Sequence, residues 1–272
     1  MEVNELTLKN FNGREFKIHT YTLKQIADLV EPKHPLAIVV PGGSFDHFSQ
    51  RESEPVALAF NSRGFNSVVM DYNLVQDEGD IYPDAGLDVL ATVKYYREHA
   101  KDYNIDPKKI VTIGFSAGGH IVSIANYMAN ADKYKKLYNF KSKDVLPNKT
   151  ILGYPLINID KIGIDIPEDE QAKVPEDKAL RDSALGVTRE TPATFVFQAW
   201  DDPMVLVSNS IEYIQALYDH QVPCEAHLFN KGVHDFSLAR PDMVVKDRPW
   251  QDNPHAAHWF NLAMEWLDSE WK

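Results

Sequence analysis

Cysteine is almost missing from this chain: Cys224 is the only one. No internal disulfide can form, which suits a reducing cytoplasm. Cys224 falls in a predicted strand, where an inert core thiol is expected. No apolar run approaches the roughly 20 residues of a membrane span. Met1-Glu2-Val3-Asn4-Glu5 is acidic and lacks the apolar core of a signal peptide. Basic charge is also short, with 28 Lys and Arg against 40 Asp and Glu and a net charge of −12. That balance argues against nucleic acid and anionic membranes as partners.

The usual ligand-binding signatures are absent too. No G-x-G-x-x-G or P-loop follows a predicted strand, so a nucleotide cofactor is not expected. There is no H-E-x-x-H and no cysteine pair. His255 and His258 stand three apart on a predicted helix without an evident third ligand, so no metal is expected. The sequence contains no internal repeat and no low-complexity segment.

What is present alternates between strand and helix. Residues 2–8 and 15–22 alternate loosely around Asn12-Gly13 and predict an antiparallel edge hairpin. Leu36–Val40 is a fully apolar strand running into Pro41-Gly42-Gly43-Ser44-Phe45. A helix is predicted around Pro55–Arg63, a strand over Ser67–Tyr72, and a long helix from Tyr82-Pro83 through His99. The turn Asn104–Pro107 leads into a further strand. Strands follow at Ile151–Ile157, Ala193–Ala199 and Cys224–Phe229. A helix between the last two has Ile211, Ile214, Leu217 and Tyr218 on one face. Pro254 is expected to start a C-terminal helix with a Trp259, Leu262, Trp266 face. This alternation predicts an α/β fold, a doubly wound, mostly parallel sheet with helices on both faces, in a single domain over residues 1–272. Within it, residues 159–190 lose periodicity. Eight acidic and four basic residues fall between Asp160 and Asp182, with Pro167 and Pro175. A solvated loop or a small lid is expected there.

One stretch carries chemistry. Ile110–Ile113 reads as a buried strand, and Gly114-Phe115-Ser116-Ala117-Gly118-Gly119-His120 follows it. Strand, sharp turn bearing Ser, then helix is the arrangement of a nucleophile elbow. A Ser hydroxyl needs a base, and the base needs an orienting acid. An Asp at 201 or 202 and His234 each follow a predicted strand. The order Ser, Asp, His is that of α/β-hydrolases. In such enzymes the glycine-rich loop, here Gly43 and Ser44, and the residue after the nucleophile, here Ala117, give N–H groups to an oxyanion.

These blocks resemble the acetyl-xylan-esterase and feruloyl-esterase-like branch of the α/β-hydrolases, near the hormone-sensitive-lipase group. The resemblance runs over nearly the whole chain from Leu36. It is carried by Pro41–Phe45, Arg51-Glu52 to Gly64-Phe65, Asp71-Tyr72, Ile105 through His120, Asp201–Val205 with Asn209-Ser210, and Gly232–Phe236. In that family the acid is the Asp before Pro, which falls on Asp202 and leaves Asp201 to shape the turn. The family loop often reads Gly-Gly-Gly; Ser44 holds the third place and keeps its N–H. Gln198 and Leu206 stand where the family often has His and Pro. His120 is expected to pack or hydrogen-bond behind the elbow.

The resemblance implies a serine carboxylesterase that needs no cofactor. Its expected partner is a small-molecule ester with a short acyl group, such as an acetylated sugar. An exopeptidase of the same fold and a non-catalytic binding protein are the rivals. The sequence leaves the natural alcohol and a homodimer open.

Overall fold

In the computed structural model, residues 1–24, 33–78, 80–163 and 175–271 are described. The chain runs β1 (Glu2–Lys9), β2 (Glu15–Thr22), β3 (His34–Val40), α1 (Glu54–Asn61), β4 (Asn66–Asp71), α2 (Asp84–Glu98), β5 (Ile105–Phe115), α3 (Ala117–Asn130), α4 (Asp132–Leu137) and α5 (Ser142–Val145). It continues with β6 (Lys149–Gly153), α6 (Lys178–Arg181), β7 (Ala193–Ala199), α7 (Ser208–Asp219), β8 (Cys224–Phe229) and α8 (His258–Glu270). One eight-stranded sheet has the order β1-β2-β4-β3-β5-β6-β7-β8. The predicted hairpin is its antiparallel edge, pairing β2 to β4. The strands from β4 through β8 are parallel.

Both sheet faces are covered, as the uninterrupted apolar runs of β3 and β5 require. Successive side chains of a strand point to opposite faces. Leu36, Ile38 and Val40 of β3 therefore join one core, with Leu87, Leu90 and Val93 of α2 and Ile121 and Ile124 of α3. Ala37 and Val39 join the other, with Val56 and Phe60 of α1 and Trp259 and Trp266 of α8. The β3–α1–β4 connection builds the sheet in one direction and β5–α3–β6 in the other. A crevice opens at the carboxyl ends where this direction reverses, beside β3 and β5.

Some elements differ from their prediction for identifiable reasons. In α7 the buried face is Asn209, Ser210, Tyr213 and Leu217, while Ile211 and Tyr218 are exposed. The polar pair is buried because it is bonded. Asn209 Oδ1 accepts from the N–H groups of Ile157 and Asn158, and Ser210 donates to Gln198 Oε1. The C-terminal helix begins at His258, because Pro254 sits in a turn where Asn253 Oδ1 accepts from Ala256 N–H. Ile105–Pro107 is the irregular first part of β5, before a register shift at its pairing with β3. Cys224 lies on the predicted strand, but that strand is the open edge of the sheet and the residue is exposed. Its sulfur is still hemmed in, which pushes the thiol up to about 11.

Residues 164–174, the middle of the acidic 159–190 segment, lie outside the described residues. The described ends are tied to the body. Asn158 bridges Asp182, Ile162 bridges Val205, and Leu180 and Ser183 are buried. Among the described residues no helix is long and apolar enough to cross a membrane.

The hairpin is anchored by a buried polar cluster. Asn10 donates to Asp84 and Asp88, and Arg14 Nη1 lies 2.9 Å from Asp88 Oδ2. Burial raises the Asp88 carboxyl to about 7, against the pull of Arg14. A carboxyl raised on folding favours the folded state most at acid pH, and that contribution is lost as pH rises through the folded value. Removing Arg14 strands the charge. Arg14→Met is therefore expected to cost about 3 kcal/mol at pH 8. The loss should be smaller at pH 5, where Asp88 stays neutral. Urea unfolding at the two pH values checks this; equal losses would contradict it.

Candidate active site

Three strand ends supply the site. Ser116 follows β5 directly and starts the turn into α3 with φ 50° and ψ −118°. A left-handed φ at a non-glycine residue is strained, and here hydrogen bonds hold it. Ser116 N–H donates to Gly153 O at 3.0 Å, and Ser116 O accepts from Leu156 N–H at 3.1 Å. The turn is tight enough that a Cβ on Gly114 would sit 2.5 Å from Gly118 O, and one on Gly118 2.1 Å from Val40 O. The sharp reversal lifts the hydroxyl off the end of the sheet.

The hydroxyl meets an imidazole there. Ser116 Oγ is 2.9 Å from His234 Nε2. On the far side of the ring, His234 Nδ1 is 2.6 Å from Asp202 Oδ2. An ionised carboxylate can only accept, so Nδ1 carries the hydrogen and Nε2 presents its lone pair to the serine. Asp202 is buried and fully occupied. Its Oδ1 also accepts from the N–H groups of Met204 and Val205, and Gln198 Nε2 donates to Oδ2 at 3.3 Å. The structure thus brings Ser116, His234 and Asp202 into one hydrogen-bonded line.

Asp201 does something else. Its Oδ1 accepts from Gly232 and Val233 N–H at 3.0 and 3.1 Å, fastening the loop that carries His234. His120 is buried behind the elbow and bonds Leu180 O at 2.9 Å. Burial pushes its imidazole down to about 4, so it is neutral. His255 and His258 pack near each other with 6.3 Å between ring centroids. Among the described residues no group of three His, Cys, Asp or Glu could hold a metal.

The line opens into a cavity of about 410 Å³ at the carboxyl edge of the sheet. Gly43 and Ser44 form its wall beside Ser116, with Ser44 at φ 54°, a conformation glycine would adopt freely. Ala117 is buried and opens α3 immediately after the serine. Among the described residues none accepts from the N–H groups of Gly43, Ser44 or Ala117. Pro203, Met204, Val233 and Trp250 give the cavity apolar surface; Glu52, Asp235 and Arg248 give it charge.

Sequence reasoning assigned no role to Glu52 or Tyr154. Glu52 is 2% exposed, accepts from Gly42 N–H at 2.8 Å and from Tyr154 OH at 2.6 Å. Its only signal was its place in the Arg51-Glu52 block.

A parallel sheet wound from a switch point, with a serine lifted at a strand-to-helix turn, defines an α/β-hydrolase. Comparison with known proteins places it within that fold. The BD-FAE family pattern matches residues 26–217, a span that holds Ser116 and Asp202 and stops short of His234. The chain belongs to the BD-FAE family. It is 28% identical over 222 residues to endo-1,4-beta-xylanase B of Butyrivibrio fibrisolvens, covering 77% of this chain and 34% of that protein. It is 30% identical over 219 residues to the acetylxylan esterase of Xylanibacter ruminicola, covering 76% of this chain and 42% of that protein. The chain thus spans well under half the length of these two relatives. Among solved structures, the carboxylesterase Cest-2923 of Lactobacillus plantarum superposes with a TM-score of 0.92 at 31% identity, over 99% of this chain and 98% of that one. The acetyl ester-xyloside bifunctional hydrolase of Caldicellulosiruptor lactoaceticus superposes with a TM-score of 0.73 at 29% identity, over 93% and 88%. These likenesses place the chain among the α/β-hydrolases, with relatives named as esterases.

Proposed function

We propose that this chain is a serine esterase that removes short acyl groups, acetyl foremost, from sugar hydroxyls. The observation that carries the reading is the line Ser116 Oγ–His234 Nε2, His234 Nδ1–Asp202, opening into a small cavity. Ser116 attacks the ester carbonyl while His234 takes its proton. Asp202 keeps the imidazole in the productive tautomer and stabilises the imidazolium. The N–H groups of Ala117 and of Gly43 and Ser44 receive the oxyanion. His234 then protonates the leaving alcohol, and water activated by the same imidazole hydrolyses the acyl-enzyme. No step needs a cofactor.

Polar groups support the acyl preference: Ser44, Ser49, Glu52 and Asp235 interrupt the apolar lining of the cavity. Each methylene buried in a matching groove is worth about 0.8 kcal/mol, so a long-chain lipase improves steadily with acyl length. Here kcat/KM is expected to peak between acetyl and butyryl and to fall by octanoyl. The names of relatives support the acetyl end, among them an acetyl esterase of Salmonella 24% identical to this chain. A panel of nitrophenyl esters from acetyl to decanoyl, run beside acetylated xylo-oligosaccharides and aminoacyl anilides, tests the reading. A monotonic rise with chain length would turn it into a lipase. Preference for the anilides would turn it into an exopeptidase.

A further inference from the structure

Two loops must stay in register for the proposed reaction. One holds Gly43 and Ser44, the other His234, and they lie far apart in sequence. They are joined through a bonded pair, Glu52 and Tyr154. Glu52 Oε2 accepts from Gly42 N–H at 2.8 Å. Glu52 Oε1 accepts from Tyr154 OH at 2.6 Å, and the Tyr154 oxygen in turn accepts from Ser237 N–H at 3.0 Å. Arg51 completes the second link. Its Nη1 donates to Asp235 O at 2.6 Å and lies 2.9 Å from Asp235 Oδ2, while Ser237 Oγ donates to Arg51 O at 2.6 Å.

Tyr154 is itself held firmly. It has φ 35°, an unusual value for a bulky residue, and it is fully buried. Its ring packs edge-on against His234, with centroids 5.1 Å apart, and against Phe236. Strain of this kind persists only where the surroundings over-determine it. Glu52 is held against solvation as well. Burial, and then the charge of Asp235, raise its carboxyl to about 7, while the bonds from Tyr154 and Gly42 pull it down. A buried carboxyl is retained at that cost where its hydrogen bonds fix a geometry.

We propose that Glu52 is a positioning residue: with Tyr154 it locks the Gly42–Ser44 loop to the His234 loop, so that the loop N–H groups meet the oxyanion formed at Ser116. This rests on the serine-esterase reading above. The bonds matter most in the transition state, since the ground-state ester makes little demand on the N–H groups. Losing the register of the donors is then expected to act on kcat and leave KM nearly unchanged.

The test compares wild type with Glu52→Ala, Glu52→Gln, Glu52→Asp and Tyr154→Phe at pH 8. Hydrolysis of nitrophenyl acetate, inhibition by phenylboronic acid and thermal melting are measured for each. Ser116→Ala is run beside them. Glu52→Ala is expected to lower kcat about 10²-fold, as loss of one oxyanion donor does, with KM within about three-fold. Boronate binding, which builds a tetrahedral adduct, should weaken in step with kcat/KM. Glu52→Gln should recover most of the loss, because its carbonyl still accepts from Gly42 N–H. Tyr154→Phe should fall between. If Glu52→Ala does not fold, Glu52→Asp carries the test, since its shorter side chain cannot reach both partners. A lowered melting temperature with wild-type kcat and boronate affinity would overturn the proposal and leave Glu52 a structural residue. An active Ser116→Ala would overturn the underlying reading instead.

Discussion

Ser116→Ala is expected to lower kcat by roughly 10⁵- to 10⁶-fold, the scale seen when a serine nucleophile is deleted from such a constellation. The substitution removes one atom. Ser116 Oγ bonds His234 Nε2, and the strained turn is held by main-chain bonds to Gly153 and Leu156 that alanine keeps. Alanine tolerates the φ of 50° no worse than serine does. The melting temperature should therefore stay close to wild type while the imidazole has nothing left to activate. Residual turnover would come from binding and from oxyanion stabilisation of attack by water. Steady-state hydrolysis of nitrophenyl acetate, with circular dichroism as the folding control, measures it. A folded variant that keeps a tenth of wild-type kcat would remove Ser116 from the reaction.

Asp202→Asn is expected to cost about 10⁴-fold in kcat, the size of a tautomer loss in a serine triad. The carboxylate forces Nδ1 of His234 to be the donor. An amide at the same place can turn its NH2 toward the ring, which puts the hydrogen on Nε2 and blocks proton transfer from Ser116. Asp202 Oδ1 is already committed to Met204 and Val205 N–H, so the amide oxygen stays there and the NH2 faces His234. Asp201→Asn is expected to cost less than about ten-fold. Its Oδ1 accepts from Gly232 and Val233 N–H, and an amide oxygen can do the same. What it loses is a half-exposed ion pair with Lys231 at 3.3 Å, which is worth little. Kinetics of the two variants side by side decide the matter. The reverse ranking would make Asp201 the orienting acid.

The candidate site was legible because each of its proposed residues carries a local signature. Ser116, Asp202 and His234 each follow a predicted strand, and parallel strands end on one edge. The glycines around Ser116 announce a close approach whose partners, Gly118 O and Val40 O, are backbone atoms of the same motif. The sheet was legible for the same reason: β3, β5, β6 and β7 are buried on both faces and read as continuous apolar runs.

What was illegible is burial of polar groups. Glu52 stands just ahead of a helix, where an acid normally faces solvent and favours the helix dipole. Its partner Tyr154 is 102 residues away, and no periodicity reports such a bond. In α7 the same effect shifted the buried face: Leu217 is buried as predicted, while Ile211 and Tyr218 are exposed. Asn209 and Ser210 turn inward because strand ends needed their hydrogen bonds, and Ile211 was pushed out. Hydrophobic periodicity reads burial through apolarity, so it fails where polar side chains are buried and satisfied. Cys224 failed the opposite way. Its β-rich context marks a strand, but nothing local marks β8 as the edge.

The most direct measurement is labelling with a fluorophosphonate, which reacts with an activated serine hydroxyl. Wild-type protein is titrated with the reagent, residual hydrolysis of nitrophenyl acetate is followed, and the modified peptide is identified by mass spectrometry. One equivalent is expected to abolish activity, with the adduct on the peptide carrying Ser116. His234→Ala should label far more slowly, because the base that activates the hydroxyl is gone. Full activity in protein whose Ser116 is quantitatively labelled, or inactivation with the adduct on another residue, would contradict the account.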